Sequence, residues 1–303
     1  MTSANTQVRA LARRWAFAVI WVTLPFTAGP ALADTLDPRS AAFRTATSIA
    51  LWVVWAVTLG AALVPRTVSL TAIRVVAPAS IAAVIWGAAV TPSAGPADLV
   101  AIVVTAVATA VAFLPSTGDE YVNGSSYGDE RRLPLRAPAA LLLGPIELTW
   151  LAVVVGAVAG PLLLAAQVWI AGAVALLVGW PLVWWGSRSL HTLARRWLVF
   201  TPAGVVLHDQ LVVVEAMLVV RRQLASIAPA LTDTTARDLT LGAPGLALEI
   251  DLTEPLAISP TPARRLRGEQ PRVVSTDVDA VLIVPTRPGV VLTEAARRRL
   301  PVG

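Results

Sequence analysis

The chain has 303 residues, of which 56% are hydrophobic and only 14% are charged, and its mean hydropathy is +0.69. Soluble domains carry about 25% charged residues, so this composition excludes an ordinary cytosolic protein, and the high hydrophobicity excludes a disordered chain. Cysteine and lysine are both absent, which excludes disulfide scaffolds, thiolate metal sites and phosphate-binding loops that need a lysine. Two histidines, His191 and His208, are too few for a histidine-rich metal centre. We therefore expect no such metal centre and no cofactor.

The first apolar stretch, residues 15–33, has two interpretations. It follows three arginines within residues 9–14 and ends in the small residues Ala31 and Ala33. A basic start, a short apolar run and a small-residue end are typical of a secretory signal peptide. The same stretch is about as long as the 20 apolar residues that a helix needs to cross a bilayer. Residues 1–33 are therefore predicted to be either a signal peptide or a first transmembrane helix.

Further stretches are apolar and long enough to cross a membrane. They lie at residues 46–64, 75–90 and 99–114, and as two helices within residues 139–185. That last run is too long for a single span, and Gly160 and Pro161 near its middle predict a tight turn. The predicted fold class is an α-helical membrane bundle of five or six transmembrane helices, with the bundle at residues 34–187, followed by a small mainly-β cytoplasmic domain.

The arginines predict the orientation of the bundle. Segments on the side of the N-terminus carry eleven arginines, whereas segments on the other side carry two. Cytoplasmic segments of membrane proteins are rich in Lys and Arg, so the arginine-rich side and the C-terminus are predicted to face the cytoplasm at the cell membrane. Tryptophans favour membrane interfaces. Four of them are expected at the inner headgroups: Trp180, Trp184, Trp185 and Trp197.

Residues 188–303 are predicted to form the cytoplasmic β domain, as a β-sandwich or a partly open barrel. Residues 198–303 contain eleven arginines and eleven acidic residues, so this part is neutral and no nucleic-acid partner is expected. Short apolar runs between turn residues are typical of strands. Strands are predicted at residues 198–200, 205–207, 211–214, 217–220, 239–241, 246–252, 256–258 and 280–284. A proline- and arginine-rich loop at residues 259–275 and a helix at residues 293–300 complete the prediction.

Two resemblances accompany this prediction. The run RRWLVFTPAGVVL at residues 195–207 is similar to the membrane-to-strand entry of bacterial PH-like domains, which are small β-barrels attached to membrane helices. Residues 123–132, 189–209 and 285–290 resemble segments of an uncharacterised family of actinobacterial multi-pass membrane proteins. The second resemblance implies the architecture, and it implies no activity, cofactor or catalytic residue.

A candidate site lies in the predicted cytoplasmic loop at residues 116–137. The loop contains four carboxylates, an asparagine and both tyrosines of the chain: Asp119, Glu120, Asp129, Glu130, Asn123, Tyr121 and Tyr127. In one interpretation the carboxylates and the amide coordinate a hard cation such as Mg²⁺ or bind a cationic partner. In the other, the loop is solvated and its acids pair with Arg131 and Arg132. The spacing of the acids matches no known metal motif.

Glu147 is the second candidate. If a helix starts at residue 139, this carboxylate lies about 12 Å along it at 1.5 Å per residue, a depth at which acids mark transport pathways or proton relays. If the helix starts at Ile146, just after Pro145, Glu147 lies at the headgroups with Trp150 as an anchor. The sequence is compatible with either helix start.

Basic side chains at the end of the last span predict contacts with anionic lipid heads. These residues are Arg188, His191, Arg195 and Arg196. His208 and Asp209 form a candidate acid–base pair, although no Ser or Cys nucleophile motif accompanies them. The small residues at 156–160 favour close helix packing, and they allow a homo-oligomer or another membrane protein as a partner.

No catalytic constellation accompanies the predicted membrane architecture. We therefore expect a non-enzymatic integral protein of the lipid bilayer that presents its cytoplasmic β domain as a scaffold, sensor or assembly partner. One alternative is a transporter or channel subunit that uses Glu147. The other is a membrane enzyme that acts on lipid-linked substrates through the acidic loop.

Overall fold

The computed structural model describes residues 2–91, 95–261 and 275–303, without the side chains of residues 2–14. The chain forms two compact units. The helical unit contains Met1–Gly124 and Glu147–His191, and the β unit contains Ser125–Ile146 and Thr192–Gly303. The chain therefore passes between the two units three times.

Ten α-helices occur in the described residues. They are α1 (Thr2–Thr27), α2 (Gly29–Leu36), α3 (Ala41–Leu63), α4 (Thr67–Val90), α5 (Pro96–Phe113), α6 (Pro115–Asn123), α7 (Ala139–Leu142), α8 (Pro145–Ala165), α9 (Trp169–Leu193) and α10 (Pro288–Arg297). Six described stretches are long and apolar enough to cross a membrane, namely Trp15–Leu36, formed by α1 and α2, and the helices α3, α4, α5, α8 and α9.

The surfaces of these six stretches are apolar. Only 11% to 33% of each stretch is buried inside the protein, and large side chains such as Ile170 and Leu177 are 85% and 77% exposed. Exposed apolar surface of this extent is unfavourable in water and stable in lipid. The structure therefore agrees with the predicted bundle of five or six spans and indicates a multi-pass membrane protein.

The first of the six stretches packs into the helical unit. Phe17 and Trp21 of α1 are each 2% exposed and stack with their ring centroids 5.4 Å apart. The indole N–H of Trp21 donates to the carbonyl oxygen of Trp55 in α3, and the indole N–H of Trp55 donates to the carbonyl oxygen of Trp21, each at 3.0 Å. Ala31 and Thr35 of α2 are also buried. Both α1 and α2 thus contribute to the core of the bundle.

The predicted turn at Gly160 and Pro161 is wrong, because both residues lie inside α8. The chain reverses instead between α8 and α9, where Gln167 has a positive φ of 63°. Gly160 serves helix packing, since a Cβ at this position would lie 2.6 Å from the side chain of Leu176 in α9. Proline within a membrane helix is tolerated when neighbouring groups satisfy the freed carbonyl.

The β unit contains two four-stranded sheets in its described residues. The first sheet is antiparallel and has the order β1 (Arg131–Pro134), β2 (Trp197–Phe200), β3 (Gly204–His208), β4 (Met217–Val220). The second sheet is formed by β5 (Leu224–Pro229), β6 (Arg237–Asp238), β7 (Leu248–Ile258) and β8 (Thr276–Ile283), in the order β5-β7-β8-β6. Strand β6 runs parallel to β8, and the other pairs are antiparallel.

Both sheets contribute to one hydrophobic core. Leu198 and Phe200 of the first sheet and Ile227 and Leu248 of the second are all 0% exposed. Helix α10 packs on the same core through Val291 and Ala295. Burial of each Leu, Ile or Phe side chain contributes roughly 1.5–3 kcal/mol, so the core makes a substantial contribution to the stability of this unit. The two sheets agree with the predicted mainly-β domain.

Several strand predictions need correction. Residues 246–252 and 256–258, predicted as two strands, belong to the single strand β7. Residues 211–214 form a turn with one isolated bridge at Val213, so no strand is present there. Strand β5 was not predicted. Of the predicted loop at residues 259–275, residues 262–274 lie outside the described residues.

The segment at residues 116–137 is not the single loop that was predicted. Its first part is helix α6, and its last part contains β1, which pairs with β2. The predicted β domain at residues 188–303 therefore lacked its first strand. The sequence of β1 concealed it, because only Leu133 among its four residues is apolar and buried.

Candidate functional site

The side chains of the predicted acidic site belong to two different units. Helix α6 in the helical unit carries Asp119, Glu120, Tyr121 and Asn123, and the β unit carries Tyr127, Asp129 and Glu130. Asp119 is only 4% exposed, whereas Tyr127 is 87% exposed. Among the described residues, no three His, Asp or Glu side chains are arranged to hold a metal ion. The positions of these carboxylates therefore give the hard-cation interpretation no support.

Tyr121 has a structural role in α6. It is 3% exposed, and its hydroxyl donates to the carbonyl oxygen of Ala62 near the end of α3, at 3.1 Å. Thr117 of the same helix donates from Oγ1 to the carbonyl oxygen of Val111 near the end of α5, at 2.7 Å. Burial raises the pKa of Tyr121 to about 12, so the phenol keeps its proton and stays a donor at neutral pH. Helix α6 thus supplies side-chain donors to carbonyl oxygens near the ends of two membrane helices. The carbonyl oxygen of Val111 also accepts from the backbone N–H of Leu114.

Asp129 and Glu130 each have an arginine partner in the β unit. Glu130 Oε2 lies 3.2 Å from Arg132 Nη2, a pairing that the solvated-loop interpretation predicted. Asp129 Oδ1 lies 3.7 Å from Nη2 of Arg298, which also donates to the carbonyl oxygen of Asp129. Arg298 Nε in turn lies 2.6 Å from Glu294 Oε1 in α10. Arg298 thus connects the C-terminal helix to the acidic segment.

Glu147 lies in the first turn of α8, which begins at Pro145. A helix does begin at Ala139, but this helix, α7, ends at Leu142, and Glu147 lies in the separate helix α8. The side chain of Glu147 is exposed. A carboxylate in the first turn of a helix interacts favourably with the positive end of the helix dipole. This position favours an interfacial Glu147 over one deep in the membrane.

The residues predicted to contact lipid heads have different surroundings. Arg188 is exposed near the end of α9. His191 Nδ1 lies 3.0 Å from Oγ1 of Thr71 in α4, so this histidine joins two helices. Arg195 is half-buried. Arg196 is only 2% exposed, so the predicted lipid contact is wrong for this residue.

Arg196 forms the most deeply buried ion pair in the described part of the chain. Its Nη2 and Nε atoms lie 2.6 and 2.8 Å from Oδ2 of Asp209, and the two side chains are 2% and 0% exposed. Arg196 Nη1 donates to the carbonyl oxygen of Arg136 at 2.6 Å, and Asp209 Oδ1 accepts from the backbone N–H of Leu211 at 3.1 Å. The pair therefore joins the segment after β1, the residue before β2 and the turn after β3.

His208 does not form the predicted acid–base pair, because the carboxylate of Asp209 is used by Arg196. The imidazole stacks on Trp197 instead, with the ring centroids 5.0 Å apart. Burial lowers the pKa of His208, and the charges of Arg195 and Arg132 lower it further, while Asp209 acts in the opposite direction. Its Nε2 is buried without a hydrogen-bond partner among the described residues. Trp197 itself is 9% exposed and belongs to strand β2 of the β unit.

The ion pairs described above thus connect separate segments of the β unit. The sequence contained the acids and arginines of these pairs, yet it had no local pattern that joined Asp129 to Arg298, since the two residues are 169 positions apart. Compared with known proteins, the chain matches no protein-family model, no curated protein and no solved structure.

Proposed function

We propose that this protein is a non-enzymatic integral protein of the cell membrane that presents a cytoplasmic β domain as a scaffold, sensor or assembly partner. The observation that carries the proposal is the origin of the β unit. Strand β1 comes from between α6 and α8 and pairs with β2, which follows α9. The domain is therefore joined to the membrane helices at three points of the chain, and a partner bound to it is held at the membrane surface.

The orientation follows from the arginines. With six spans and a cytoplasmic N-terminus, the segments on the cytoplasmic side carry eleven arginines and those on the other side carry two, Arg39 and Arg44. The chain has no cysteine, so single cysteines report orientation without a background. Glu254→Cys in the β unit is expected to react with a membrane-impermeant maleimide only after lysis, and Pro38→Cys is expected to react in intact cells. The opposite pattern contradicts the proposed orientation.

The packing of α1 and α2 supports the first-helix interpretation of residues 1–33. Trp21 is buried and exchanges two hydrogen bonds with Trp55, and Ala31, which precedes the candidate cleavage point, is buried inside a helix. Loss of these residues removes a buried face from the bundle. Mass spectrometry of the protein purified from membranes is expected to recover peptides that contain Trp21. Their complete absence indicates a cleaved signal peptide.

Site-specific photo-crosslinking in living cells tests the assembly role. A benzophenone side chain is placed at Leu218 or Leu231 of the β unit, which are 45% and 72% exposed. The control position is Pro38, in the segment between α2 and α3. We expect an adduct of discrete mass from at least one β-unit position and none from Pro38. If positions around the whole exposed surface of the β unit give no discrete adduct, the proposed role as an assembly partner is wrong.

The two alternatives make different predictions. A transporter or channel subunit that uses Glu147 loses flux in vesicles on Glu147→Gln while its insertion is unchanged. A membrane enzyme that uses the acidic segment loses metal binding or activity when Asp119, Glu120, Asp129 and Glu130 are all replaced by alanine. The exposed position of Glu147 and the arginine partners of Asp129 and Glu130 support the scaffold over both alternatives.

A further inference from the structure

A groove lies between α8 and α9 on the surface of the helical unit. It is lined by Ala157 of α8 and by Trp180, Val183 and Trp184 of α9, and its volume is about 460 Å³. Small-molecule sites typically have volumes of roughly 300–1,000 Å³. The lining is almost entirely apolar, and both helices are membrane-spanning stretches. The groove is therefore open to the acyl chains of the bilayer.

The two helices that carry the groove are in close contact at a pair of glycines. A Cβ on Gly156 of α8 would lie 2.8 Å from the carbonyl oxygen of Gly179 in α9, so the two backbones touch. Of the residues that line the groove, only Ala157 belongs to α8. On the other side, Trp180 and Trp184 project from α9 and are 63% and 62% exposed. The small side chain of Ala157 on α8 and the two indoles on α9 give the surface of the helix pair a concave shape.

An arginine, Arg188, follows the two groove tryptophans along α9. Trp180, Trp184 and Arg188 are spaced four residues apart and so share one face of α9, over about 12 Å at 1.5 Å per residue. The Cζ atom of Arg188 lies 5.4 Å from the centroid of the Trp184 ring. Within the described residues, no acceptor faces the indole N–H groups of Trp180 and Trp184, although other indoles, such as that of Trp21, donate to backbone carbonyls.

We propose that this groove binds one anionic glycerophospholipid, with an acyl chain along Ala157, Trp180 and Trp184 and the phosphate beside Arg188. An acyl chain fits the apolar lining, and an indole N–H can donate to a lipid ester carbonyl. The guanidinium at the end of the same stripe is complementary to an anionic phosphate. The assignment to the inner leaflet rests on the proposed orientation of the protein, whereas binding of the lipid does not.

Native mass spectrometry of the full chain in a mild non-ionic detergent tests this site. The protein is titrated with palmitoyl-oleoyl phosphatidylglycerol and, separately, with palmitoyl-oleoyl phosphatidylcholine. We expect the first phosphatidylglycerol to bind about fivefold more tightly than the first phosphatidylcholine, the effect of one arginine near an anionic headgroup. Arg188→Gln is expected to remove this difference. Arg66→Gln, which changes an exposed arginine at the start of α4, is expected to leave it unchanged.

A second pair of variants tests the apolar part of the groove. Ala157→Phe places a ring in the groove and is expected to abolish the first binding event for both lipids. Val158→Phe adds a similar ring at an exposed neighbouring position outside the groove and is expected to retain it. Equal affinity of the unchanged protein for both lipids overturns the proposal, as does lipid binding that survives Ala157→Phe. A dimer that dissociates on Ala157→Phe also overturns it, because the groove then holds a second copy of the chain. If Ala157→Phe does not fold, the arginine pair still decides the question.

Discussion

Removal of the Asp209 carboxylate is the sharpest test of the β unit. Asp209→Ala deletes both hydrogen bonds from Arg196 and the one from the Leu211 amide, and it leaves a 2%-exposed guanidinium without its counter-ion. Arg196 retains only the carbonyl of Arg136 as an acceptor in the described residues. Removal of one partner of a buried ion pair costs about 3–5 kcal/mol, because the remaining charge stays desolvated. Asp209→Ala should therefore destabilise the strands that the pair joins.

Hydrogen exchange of the full chain in detergent measures this loss. Amides in β2 and β3 exchange through opening of the structure around them. Since each 1.4 kcal/mol is a tenfold change, a loss of about 3–5 kcal/mol predicts exchange that is roughly 100- to 4,000-fold faster in these strands. Amides in the core of the membrane helices are expected to change little.

Two further variants separate the ion pair from simple loss of packing. Glu130→Ala removes the carboxylate of a more exposed pair with Arg132, for which about 0–1 kcal/mol is expected. In the double variant Arg196→Met/Asp209→Leu no charge is left buried, so most of the lost protection should return. If Asp209→Ala accelerates exchange no more than Glu130→Ala does, the buried ion pair does not stabilise the sheet.

Three more predictions concern the pH response and the helices. The pKa of His208 is lowered in the folded state. The contribution of neutral His208 to stability is therefore complete above the unfolded pKa of about 6.5, and it is lost as the pH falls from there towards the folded pKa. His208→Phe should weaken this acid dependence of thermal unfolding, while His191 stays in both proteins as an internal control. Gly179→Ala places a Cβ 2.5 Å from the carbonyl oxygen of Gly156 and should lower the thermal midpoint by an amount corresponding to about 1–3 kcal/mol. In the control Gly60→Ala the new Cβ meets nothing within 4 Å, so the thermal midpoint should stay equal or rise slightly. Glu147→Gln should cost about 0.3–1 kcal/mol through the helix dipole and leave ion flux in vesicles unchanged, and abolished flux with intact insertion would instead support the transporter.

The membrane helices could be predicted from the sequence, because a helix that crosses lipid must be apolar along its length. Each span needs about 20 apolar residues in a row, and this signal is local. The turn prediction within the bundle was wrong because glycine and proline occur both in turns and inside membrane helices. Gly160 and Pro161 predicted a turn by their type, whereas the structure uses Gly160 to bring α8 against Leu176.

The β unit and the candidate sites were harder to predict, because their contacts connect distant residues. Strand β1 contains two arginines and a proline, and it becomes a strand through its pairing with β2, more than 60 residues later. Asp129 and Glu130 were predicted as candidate site residues, and nothing in the sequence indicated that the partner of Asp129 is Arg298 at the end of the last helix. Arg196 was assigned to lipid because it follows the last span, and only the structure places it against Asp209.

The position of β1 also affects how this protein is made. The ribosome completes β1 before the last two membrane helices exist, and β2 emerges 66 residues after the start of β1, or roughly 3–13 s later at 5–20 residues per second. During this interval Leu133 has no partner strand. The two strands meet only if the chain crosses the bilayer an even number of times between them, so a nascent chain in which only one of α8 and α9 inserts leaves β1 and β2 on opposite sides. Completion of the first sheet therefore requires that both α8 and α9, or neither of them, cross the bilayer.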